Sequence, residues 1–114
     1  MGEDQSGQGL LMKNLPQTVK KALQMAVKAQ GHAYAPYSHF QVGATLVSRS
    51  EENFFTGCNV ENASFGATIC AERGALITAV ANGCREFSFL VLQASRDEGL
   101  APCGLCLQCL VEFC

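Results

Sequence analysis

Between residues 14 and 31 the apolar positions Val19, Ala22, Leu23, Ala26 and Val27 recur at the i, i+3, i+4, i+7, i+8 spacing. That period predicts an amphipathic helix, with Pro16 near its start and Gly31 as its stop. Lys20, Lys21 and Lys28, with Lys13 just ahead of them, mark its solvated face. The following HAYAPYSHF is expected to be irregular, because Pro36 disfavours helix at Ala35 and lacks a backbone donor. Two short apolar runs, 42–47 and 53–57, flank the polar SRSEE and predict a hairpin. Over 70–82 the residues Ala71, Leu76, Ala79 and Val80, with Ile69 just before, predict a mostly apolar helix buried on more than one side. Asn82 and Gly83 close it. A third strand is expected over 87–92, and after the loop ASRDEGLA, Pro102 opens a last helix.

The resulting order is helix, strand, strand, helix, strand, helix. It favours a sheet covered by helices, with at least one parallel crossover from the second strand to the third. The 114 residues suit one domain, expected over 14–114 behind a loose polar tail at 1–13. With 48% apolar and 16% charged residues the chain is expected to fold, and no apolar stretch approaches membrane-spanning length. A net charge of −2 offers no field for a phosphate backbone, which argues against nucleic-acid polymers as partners. The acidic opening MGEDQSGQG does not resemble an export signal. A soluble, cytoplasmic protein is therefore expected, and its seven cysteines raise the question of metal or catalytic sulfur before that of disulfides.

Cys103 and Cys106 stand three apart at a predicted helix start, so both side chains share one face and can chelate one ion. Cys70 sits at another helix start, with Glu72 two residues later. If the two starts face each other, three thiolates converge and leave a fourth position open, the ligand set of a catalytic zinc. Glu72 taken alone is a first-turn acid that complements the helix dipole. Beside an activated water it becomes a general acid and base. Cys109 extends the pattern toward an iron–sulfur-like run, but on a continuous helix it lies about 60° or more around from Cys103. His32 and His39, in the loop after the first helix, are not expected to bind the metal. Cys58, Cys84, Cys109 and Cys114 read as small buried or edge residues.

The run Cys70-Ala71-Glu72-Arg73, followed by Pro102-Cys103-Gly104-Leu105-Cys106, resembles the cytidine deaminase family. APYSHFQVGA at 35–44, TGCNVENASFG at 56–66 and ICAERGA at 69–75 extend the resemblance from about residue 14 to residue 113. It implies an α/β fold of three α-β-α layers around a mixed sheet. It also implies hydrolytic deamination of cytidine and 2'-deoxycytidine to uridine and 2'-deoxyuridine plus ammonia, a pyrimidine-salvage reaction on a small nucleoside. One Zn2+ per subunit would be held by Cys70, Cys103 and Cys106, with Glu72 moving protons. Asn59 and Glu61 would hold the ribose hydroxyls, Phe40 would line the pyrimidine pocket, and the backbone at Ala71 and Ala101 would meet the base edge. Arg73 would donate to ligand sulfurs and offset their surplus negative charge. A homotetramer, or another homo-oligomer, is the assembly the resemblance implies.

Plainer readings stand beside these: a turn residue at Asn59, a solvated acid at Glu61, core packing at Phe40 and a surface cation at Arg73. The chain departs from the family's usual P-C-G-x-C-R-Q at Leu107, where it lacks the arginine, and at Cys109 after Gln108. Relatives continue past the last helix with two more strands and a helix. A C-terminally shortened domain, its last strands missing, is therefore expected, with an open edge on the third strand. Two other functions fit the same features. One is a noncatalytic zinc-binding subunit or modulator of a full-length deaminase, and the other is a deaminase of a cytosine-containing antibiotic, against which Glu61 and NVENASFG favour ribose.

Overall fold

Residues 16–94 are described in the computed structural model. The helical period at the start forms α1, Gln17–Gln30, whose stripe of Ala22 and Ala26 is wholly buried. Its end is capped by the Gly31 N–H, which donates to the carbonyls of Val27 and Lys28. Val27, expected on the apolar face, is instead 49% exposed. The face that meets the sheet is narrower than the apolar stripe in the sequence.

β1, Val42–Ser48, is buried at all seven residues. It pairs antiparallel with β2, Phe54–Cys58, from Gly43 opposite Cys58 to Val47 opposite Phe54. The SRSEE turn closes on Ser48, whose backbone N–H donates to the Asn53 carbonyl and whose Oγ accepts from the Asn53 N–H. β3, Phe87–Ala94, pairs antiparallel with the other edge of β1, giving the order β2-β1-β3. Every strand pairing in this sheet is thus antiparallel, and a parallel neighbour pair is absent from the described strands. The predicted crossover exists in another form: β2 and β3 run the same way on either side of β1, joined through α2, Ala71–Ala81.

Strand alternation divides β1 between two helices. Val42, Ala44 and Leu46 pack with Ala71, Ala75, Leu76 and Ala79 of α2, while Thr45 donates its hydroxyl to the Ala22 carbonyl of α1 at 2.8 Å. The helices therefore cover opposite faces, and the described residues make the three α-β-α layers of an α/β fold. Leu90 and Leu92 of β3 and Phe55 of β2 extend the α2-side core. α2 was expected to be buried on more than one side, but its buried residues Ala71, Glu72, Ala75, Leu76 and Ala79 form one face, and Ile77 and Thr78 point outward. The spacing of four that joins 71, 75 and 79 makes a single stripe. β3 has no second strand partner among the described residues, and the helix expected from Pro102 lies outside them.

Both helices approach the sheet at glycines. A Cβ on Gly43 would stand 2.0 Å from the Ala26 carbonyl oxygen, and one on Gly57 would stand 2.3 Å from the Ala75 nitrogen and 2.5 Å from the Ala71 oxygen. These neighbours are backbone atoms and cannot swing aside. Gly57→Ala should therefore cost at least the ~1–3 kcal/mol typical of overpacking, seen as a lower urea midpoint. Gly66→Ala, with nothing within 4 Å of the added carbon, should stay within about 0.5 kcal/mol of the parent.

Candidate functional site

Three backbone segments lie side by side ahead of α2. Tyr34 bridges Val60 in parallel, and Val60 bridges Ile69 antiparallel through two N–H to carbonyl bonds of 2.9 Å each. This ladder sets residues 59–61 beside the start of α2. Cys70 follows directly as the helix N-cap, with extended backbone (φ −77°, ψ 156°), and its carbonyl accepts the first helical bond from Gly74 at 3.0 Å. Its thiol is half-buried and outside any disulfide. Ala71 is buried, and Glu72 in the first turn is only 6% exposed. A carboxylate this deep is uncommon, and the helix N-terminus favours its charge. Arg73, half-buried, is the next residue along α2.

Asn59 is a buried brace, not a simple turn residue. Its Oδ1 accepts from the Val42 N–H at 2.9 Å, and its Nδ2 donates to the Phe40 carbonyl at 2.8 Å. One acceptor position and one N–H of the carboxamide remain beyond these two bonds. Phe40 is half-buried and packs its ring against the α2-side core.

Glu61, still partly exposed, is held by three hydrogen bonds. Its Oε1 accepts the backbone N–H groups of Tyr37 at 3.0 Å and Ser38 at 3.1 Å, and its Oε2 accepts the Ser38 hydroxyl. The Ser38 Oγ in turn accepts the Phe40 N–H at 3.0 Å. His39, between them, takes a left-handed φ of 58°, one that histidine tolerates better than most residues. The Ser38 hydroxyl holds the Glu61 carboxyl below its ordinary range; desolvation, the next largest effect, opposes it, and the two amides and the nearby His39 add to the lowering. Ser38 did not emerge from the sequence as a site residue. Its signal was its place two residues before Phe40, where a serine hydroxyl commonly bonds the backbone two residues on.

The other predicted site residues, Cys103, Cys106 and Ala101, lie outside the described residues, as do Cys109 and Cys114. Among the described residues no three His, Cys, Asp or Glu side chains cluster as a metal site, since Cys70 is the single expected ligand there. Its thiol fits that role: it is half-buried at a helix start, where amides and dipole lower the cost of thiolate formation. His32 and His39 are exposed. Cys58 and Cys84 are half-buried, and Cys84 packs against the core with its Sγ 3.5 Å from the Glu86 carbonyl.

The chain that carries this arrangement is similar to known proteins. Residues 16–114 match the family model described as the cytidine and deoxycytidylate deaminase zinc-binding region. A cytidine deaminase from Sporosarcina psychrophila is 42% identical over 96 residues, covering 84% of this chain and 70% of the relative. A probable cytidine deaminase from Dictyostelium discoideum is 45% identical over 96 residues, covering 83% of this chain and 65% of the relative. Among solved structures, a cytidine deaminase from Burkholderia pseudomallei superposes with a TM-score of 0.77 at 42% identity, covering 87% of this chain and 77% of the other. The chain belongs to the cytidine and deoxycytidylate deaminase family. It spans about two-thirds of the length of the curated relatives it matches.

Because Glu61 is held below its ordinary 4.5 in the fold, it contributes stability that is present above that value and is lost as pH falls through the lower folded one. Urea titrations at descending pH should show this loss beginning near pH 4.5. Glu61→Gln should flatten that part of the profile.

Proposed function

We propose that this chain carries out zinc-dependent hydrolytic deamination of cytidine and 2'-deoxycytidine, releasing ammonia and leaving uridine or 2'-deoxyuridine. The observation that carries the reading is the start of α2, where Cys70 caps the helix and the buried Glu72 follows within the same turn. Family membership supplies the reaction class, and the family model is that of a zinc-binding region.

The zinc that Cys70, Cys103 and Cys106 would hold supplies Lewis acidity, which brings the pKa of a water toward neutrality. Glu72 accepts a proton from the attacking water and passes it to the ring nitrogen next to the amino-bearing carbon. The water oxygen bonds to that carbon. Glu72 then takes the remaining proton from that oxygen and delivers it to the amino group, the carbon–nitrogen bond breaks, and ammonia leaves as the carbon–oxygen double bond of the product forms. Burial of Glu72 suits this role, because a carboxylate shielded from bulk water keeps the proton within the site. Arg73, next in α2, offsets the surplus negative charge of three thiolates.

Phe40 lines the base pocket, the backbone at Ala71 and Ala101 meets the base edge, and Asn59 and Glu61 receive sugar hydroxyls. The bonding capacity left on Asn59 and Glu61 supports this placement. Phe65 at 89% exposure and Tyr37 at 59% leave apolar surface in segments flanking the site, which supports a homo-oligomeric working form.

Glu72→Gln should lower turnover of cytidine by about 100-fold or more while zinc content by elemental analysis stays at the parent level. Cys70→Ala should instead lose the metal and the activity together. Turnover retained in the first variant, or full zinc in the second, would contradict the assigned roles.

A further inference from the structure

The Ser38 hydroxyl occupies a junction in the loop between α1 and β1. It donates to Glu61 Oε2 and accepts the Phe40 N–H at 3.0 Å. Phe40 is held a second time at its carbonyl by Asn59 Nδ2 at 2.8 Å, and Asn59 is itself tied to Val42 at 2.9 Å. One serine therefore links the carboxylate assigned to the sugar with the aromatic residue assigned to the base. The remaining bonds define what the carboxylate can still do. Each carboxylate oxygen accepts about two hydrogen bonds, so Oε1 is filled by the Tyr37 and Ser38 amides, and Oε2 has one position left beside the Ser38 hydroxyl. A carboxylate pinned at three points keeps a fixed orientation, and its last acceptor position points one way.

We infer that Ser38 is a positioning residue for sugar recognition, orienting the Glu61 carboxylate so that it accepts a single nucleoside hydroxyl. The inference rests on the deaminase reading. It makes Ser38 act through Glu61 rather than on the substrate, and it makes Glu61 a one-hydroxyl acceptor instead of a bidentate clamp. Without the hydroxyl, Oε2 would turn to solvent, while the Asn59 bond to its carbonyl would still hold Phe40. The damage should fall on binding and not on the proton transfers assigned to Glu72.

The test compares the full-length parent with Ser38→Ala and Ser38→Thr, using cytidine as substrate and 2',3'-dideoxycytidine as a competing ligand without those sugar hydroxyls. Ser38→Ala should raise KM for cytidine about tenfold with kcat within about twofold, the signature of lost binding shared by ground and transition states. The inhibition constant of the dideoxynucleoside should stay within about twofold of the parent, because it lacks the 2' and 3' hydroxyls, one of which Glu61 would receive. Ser38→Thr, which keeps the hydroxyl, should restore KM. Equal weakening toward both ligands, unchanged KM in Ser38→Ala, or failure of threonine to rescue would each overturn the Ser38 assignment while leaving the deaminase reading in place. A parent chain that turns over no cytidine would overturn that reading, and the sugar role of Ser38 with it.

Discussion

The first turn of α2 rests directly on the backbone of β2, and the missing side chain at Gly57 permits it. Gly74 meets the same spot from the helix side, with its hypothetical Cβ at ordinary contact distance, 3.5 Å, from the Gly57 Cα. The residues proposed for the chemistry flank this contact. Cys70 and Glu72 belong to the turn that lies on Gly57, and Asn59 and Glu61 follow Gly57 by a few residues. The Val60 to Ile69 bridge closes the arrangement from the other side. Packing of this kind has little give, because main-chain atoms have no rotamers through which to relax. The spacing between helix start and Asn-x-Glu segment is thus a property of the scaffold, not of the side chains that use it.

The two glutamates beside this contact have contrasting surroundings. Glu61 accepts from three donors within two neighbouring residues, Tyr37 and Ser38. Those donors favour its ionised form, which suits the hydroxyl-receiving role proposed for it. Glu72 is buried under the sheet-facing side of α2, at the position where a helix start favours negative charge. Two groups of the same chemistry thereby suit the different work proposed for them, one holding and one transferring.

Hydrophobic period revealed most of the scaffold. The run 42–47 became Val42–Ser48, 70–82 became Ala71–Ala81, and 87–92 became Phe87–Ala94, because each is a local pattern closed by local turn residues. Pairing was less legible. β3 joins β1 rather than extending from β2, and strand order depends on contacts far apart in the chain, which a period cannot report. Val27 shows the same limit, since its place in the apolar stripe says nothing of how wide a face the sheet covers. Around the candidate site, the helix start that carries Cys70 and Glu72 was readable because it is a local signal. The three donors around Glu61 were not, because two of them are main-chain amides and carry no residue-type signature.

Alanine dominates the buried faces of both helices: Ala22 and Ala26 in α1, and Ala71, Ala75 and Ala79 in α2. Among the described residues the largest side chains that are fully enclosed are Val47 and Thr45, both on the central strand. Alanine faces set this close to the sheet leave little room for bulkier replacements, so enlarging these described interior residues is a poor route to greater heat tolerance. Gains would have to come from the outside, through better turn residues in the SRSEE hairpin or through stronger helix formers on the wet sides of α1 and α2.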